Sequence, residues 1–99
     1  MTPEFLDILK LLLPRYEWVE GRGWFDTQRV PVFVTHGVVL RALIDAATER
    51  GWVEKIIAHA IAHHRERAEA TAYLHSAYAT LELYCDMIRE LRLLEEVKL

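Results

Sequence analysis

Between Gly51 and Leu99 the chain contains neither glycine nor proline, so over nearly half its length no backbone breaker forces a helix to stop. Apolar residues recur there at helical spacing in two stripes. The first is Val53, Ile56, Ile57, Ala60 and Ile61; the second is Leu74, Ala77, Leu81, Tyr84, Ile88 and Leu91, widened by Tyr78 and Cys85. A polar stretch from Arg65 to Thr71 separates them. One uninterrupted helix, at about 1.5 Å per residue, would project beyond a compact domain of this length, so two helices meeting near residues 66–72 are expected.

Upstream, breakers and caps punctuate the chain. Thr2-Pro3-Glu4 opens a helix, because Thr accepts from a free amide, Pro fits the first turn and Glu complements the positive helix end. Phe5, Ile8, Leu9 and Leu12 continue it until Pro14. Thr35 caps a second helix lined by Leu40, Leu43, Ile44 and Ala47. Gly51 closes that helix in the left-handed conformation, and Trp52 folds back over its last turn. Residues 14–35 are rich in aromatics. Tyr16 to Glu20 alternates, Gly21-Arg22-Gly23 can turn, and Trp24-Phe25 and Val30 to Val34 have strand-like side chains. A short hairpin is one option. An irregular connection is favoured, because an isolated two-stranded ribbon is marginal and Pro31 lacks a strand amide. The expected fold class is therefore all-α, a bundle of four or five helices in one domain, 1–99, with an aromatic-rich connection between the first two.

Composition narrows the function classes. With 53% hydrophobic and 27% charged residues in 99, the chain has the means to form one core and is not a disordered tail. The net charge of −3 is opposite to the basic footprint that a nucleic-acid partner requires. The longest early apolar run, Phe5 to Leu13, is interrupted by Asp7 and Lys10 and is far shorter than the roughly 20 residues that span a bilayer. With one cysteine, Cys85, and no leader pattern, a cytoplasmic location is expected, with no membrane partner.

Few residues suggest chemistry. His59, His63 and Glu66 are candidate metal ligands, since steps of four and three place them on one helix face. That face is expected to be solvated, opposite Ile57 and Ile61. Ala60 stands where the HExxH pattern needs a carboxylate. Cys85 has no activating base at helical spacing, and Gly21-Arg22-Gly23 lacks the rest of a phosphate loop. No enzyme and no cofactor are expected. Three Trp, four Tyr and three Phe suit a chain that shares aromatic surface with a protein partner or a second copy. The second stripe, Leu74, Tyr78, Leu81, Tyr84, Cys85, Ile88 and Leu91, is the expected interaction surface, because its seven-residue repeat suits helix-on-helix docking.

The run Leu40-Arg41-Ala42-Leu43-Ile44-Asp45-Ala46-Ala47-Thr48-Glu49-Arg50-Gly51-Trp52-Val53-Glu54-Lys55-Ile56-Ile57-Ala58-His59-Ala60 resembles the closing helix pair of the effector-associated domains. These are death-fold-like helical adaptors of bacterial conflict systems. The resemblance implies a self-associating adaptor or assembly subunit in bacterial defence, acting by homotypic contact and without an active site. It covers residues 40–60. His63 to Arg67 continues as helix where that family commonly stops. Two alternatives come from other classes: a small phage-encoded inhibitor that blocks a host or CRISPR-type complex, and a metal-binding helical protein using His59 and His63.

Overall fold

Thr2, Thr35 and Ser76 each cap a helix with the side chain, the Gly51 turn precedes another, and one helix begins at His64 without a side-chain cap. The computed structural model describes residues 1–29 and 32–97; the expectations for Val30, Pro31 and Lys98 lie outside them. Among the described residues are five α-helices: α1 (Pro3–Leu12), α2 (His36–Glu49), α3 (Val53–His63), α4 (Arg65–Leu74) and α5 (Ala77–Glu90). A short 3-10 turn, Leu93–Glu96, follows α5. Three strands, β1 (Tyr16–Val19), β2 (Gly23–Asp26) and β3 (Val32–Val34), lie between α1 and α2.

The caps are those the sequence offers. Thr2 Oγ1 accepts from the Phe5 amide at 3.4 Å, and Thr35 Oγ1 from the Val38 amide at 3.3 Å. At the α2–α3 corner Gly51 has φ +71°. Its amide donates to the Thr48 carbonyl, and the Trp52 amide to the Ala47 carbonyl at 2.9 Å, the paired bonds of a Schellman motif. Trp52 is buried there, with the Arg50 guanidinium 5.4 Å from its ring centroid.

Two expectations need correction. The fold is not purely all-α: residues 16–34 contain an antiparallel three-stranded meander in the order β1-β2-β3, pairing Trp18 with Trp24 and Phe25 with Phe33. The third strand removes the objection to a lone hairpin, since each strand gains a paired neighbour or a packed face. Gly23 is required in the meander, because φ is +110° and a Cβ there would sit 2.7 Å from Phe33 Cε2. The C-terminal half is also three helices rather than two. Besides the break at His64, α4 ends at His75, in the left-handed conformation with φ 51°, and Ser76 Oγ caps α5 by accepting from the Ala79 amide.

α5 is the central helix. It packs against α1, α2, α3, α4 and the 3-10 turn, and Leu81, Leu83, Tyr84, Cys85, Met87 and Ile88 are buried along it. Many neighbours explain a wide stripe without a second molecule. Cys85 lies inside this core, where burial first, then the nearby Asp86 and Glu82 carboxylates, push its thiol pKa up to about 12. A thiol so protonated is no nucleophile.

The meander is tied down by charge. Asp26 is buried and accepts a bidentate pair from Arg15, Nε to Oδ1 at 3.0 Å and Nη2 to Oδ2 at 2.7 Å, plus the Gln28 amide at 3.0 Å. The Arg15 hydrogen bond is the main reason its carboxyl titrates below the usual range, against the opposing effect of burial. A carboxylate with a depressed folded pKa stabilises the fold above its unfolded pKa and loses that contribution as pH falls through the folded value. Asp26→Asn is therefore expected to lower the thermal midpoint at neutral pH, and the gap to wild type should narrow below about pH 4, near the unfolded carboxylate pKa. Melting curves from pH 7 to pH 2.5 check this; a gap that does not narrow would show that the ion pair is not its source.

Candidate functional site

Helices α3, α4 and α5 leave an apolar cleft of about 400 Å³ between them. Its buried lining includes Ile56, Ala60, Leu83 and Tyr84, and its open lining includes Ile57 and Ile61. Those two isoleucines are 47% and 49% exposed. Arg65 and Glu69 also line the cleft and pair with each other, Nε to Oε1 at 3.2 Å. On α3 the buried positions are Ile56 and Ala60.

This arrangement reverses the expected faces of α3. Ile57 and Ile61 are the open side chains, and His59 is turned toward α5, where its Nε2 lies 3.1 Å from Glu90 Oε1. His64 Nε2 lies 2.8 Å from the same oxygen. A carboxylate only accepts, so each imidazole donates through Nε2. These bonds, His64 first and then His59, hold the Glu90 carboxyl below its ordinary value. The expected trio of His59, His63 and Glu66 is not assembled. His63 is exposed, with its ring 4.6 Å from that of His59 between centroids. Glu66 is exposed at the start of α4. His64 and Glu90 take their places beside His59.

The expected interaction surface needs a similar correction. Leu81, Tyr84, Cys85 and Ile88 are core side chains of α5, while Tyr78 and Leu91 are half-buried. Only Leu74 of that set is open, at 64%, next to the exposed Tyr73 at the end of α4. The seven-residue repeat runs across the His75–Ser76 break, so Leu74 does not continue the line of Leu81. Ser76 is the chain's one serine, and a cap reading of it was the available signal for that break. On α3 the open large apolar side chains are Ile57 and Ile61.

Among the described residues, no helix is long and apolar enough to cross a membrane. Compared with protein-family models, curated proteins and solved structures, the chain matches none.

Proposed function

We propose that the chain is a non-enzymatic, cytoplasmic interaction module that self-associates through the α3–α4–α5 cleft. The observation that carries this reading is the pair of exposed isoleucines, Ile57 and Ile61, at a mainly apolar cleft. A patch presenting both protruding aliphatics and a concavity suits a two-fold contact in which each copy fills the other's cleft. Arg65 and Glu69 add both signs of charge to the same patch, so a second copy can exchange ion pairs as well as apolar contact. Burial would gain about 25 cal/mol per Å² of apolar surface, less the association cost. The likeness of residues 40–60, which here form the α2–Gly51–α3 pair, to effector-associated domains supports a homotypic adaptor in bacterial defence.

Light scattering across micromolar to millimolar protein is expected to show dimers. Ile61→Glu should weaken dimerisation at least about a hundredfold, because a carboxylate would be desolvated in the contact. Its helical circular dichroism should stay unchanged, as Ile61 lies outside the monomer core. A wild type that remains monomeric throughout the range refutes the reading.

A further inference from the structure

On the other flank of α3 from the two exposed isoleucines, His59, His64 and Glu90 bring three ligand atoms within 4.8 Å of one another. In a continuous helix, residues 59 and 64 would point about 140° apart. They meet because the chain leaves helical geometry at His64, with φ −139° and ψ 43°, although neither glycine nor proline stands there. The same break keeps the His64 amide on the Ala60 carbonyl at 2.7 Å, while α4 starts there without a side-chain cap. Glu90 is the last residue of α5, where the negative helix end disfavours a carboxylate. A break without a breaker and a carboxylate at the wrong helix end both serve the same small cluster.

We infer that His59, His64 and Glu90 form a binding site for a zinc-class divalent ion that staples α3 and the α3–α4 junction to the end of α5. Two imidazoles and one carboxylate are the donor set of three-ligand zinc sites. Tetrahedral ligands at about 2.0–2.1 Å from an ion stand about 3.3 Å apart. The observed separations of 3.1 and 2.8 Å from Glu90 Oε1 open by a few tenths of an ångström to reach that spacing, and the remaining separation, within 4.8 Å, closes toward it by rotation of the partly exposed imidazoles. All three side chains are partly exposed, so an ion can enter from solvent and water can take the fourth position. Binding exchanges the two imidazole protons that face Glu90 for the metal.

Calorimetric titration of Zn2+ into metal-free protein is expected to show one ion per chain. Glu90→Gln and His64→Ala should each weaken binding at least about tenfold, whereas His63→Ala and Glu66→Gln stay within about twofold. Zinc should raise the melting temperature of the wild type, as a ligand of the native state does, and fail to do so for Glu90→Gln. Wild-type imidazole NMR provides a readout independent of any variant's folding: zinc should shift the His59 and His64 resonances and leave His36 and His75 in place. Absence of one-to-one binding overturns the site. So does zinc that shifts His63 but not His64, or binding lost in His63→Ala and retained in His64→Ala, because either outcome places the ion on the His59–His63 pair.

Discussion

Leu81→Glu is expected to abolish folding rather than to dissociate an assembly. Leu81 is fully buried on α5, the helix against which α1, α2, α3 and α4 all pack. A carboxylate there would lose its hydration with no cation placed to receive it, a cost of several kcal/mol even after relaxation. The loss of packed leucine atoms adds about 2–5 kcal/mol. Together these rival the whole stability of a small domain, about 5–15 kcal/mol. Leu74→Glu, by contrast, should move stability by no more than about 0.5 kcal/mol. The two leucines are seven residues apart and look equivalent in the sequence. Circular dichroism with urea titration separates them, and a folded Leu81→Glu monomer would show that α5 is less enclosed than its packing implies.

Trp52→Ala should be the most damaging truncation at the α2–α3 corner, at about 3–5 kcal/mol. Trp52 is 2% exposed and is the largest of the fully buried side chains. Its ring sits beyond the left-handed Gly51, so it fills the space between two helices whose relative direction the Schellman bonds set. Removing it opens a cavity at a corner that cannot collapse without moving one of those helices. The Arg50 guanidinium also loses its aromatic partner. Trp52→Phe, which keeps part of the volume, should cost distinctly less. Urea unfolding midpoints give the order, and a loss under about 1 kcal/mol for the alanine variant would mean that the corner repacks.

Much of the framework was legible because its causes are local. Thr2, Pro3, Thr35 and Gly51 act within a turn of themselves, so the starts of α1 and α2 and the α2–α3 corner follow from neighbouring residues. The buried lines Phe5–Ile8–Leu9–Leu12 and Leu81–Tyr84–Ile88 follow from helical period alone. The meander was less legible: its strands run only four, four and three residues, too short for alternation to identify, and Pro31 argued against the third strand whose pairing with β2 completes the sheet.

Helix period also left the orientation of α3 undetermined. Ile57 and His59 flank the buried Ile56–Ala60 line at about equal angles, near 80° on either side. Hydrophobicity favours burying the isoleucine, yet the partner that decides the matter, Glu90, is far along the chain and beside His59 only once α3 lies on α5. The candidate ligand set has the same origin, since His64 reaches it through a backbone break that no residue type announces. Sequence by itself determined where helices start, which lines they bury and that Gly51 turns the chain, because those depend on bonds and spacings within a few residues. Tertiary structure alone decided which flank of α3 is open and which side chains meet at Glu90, because those depend on which helix lies alongside.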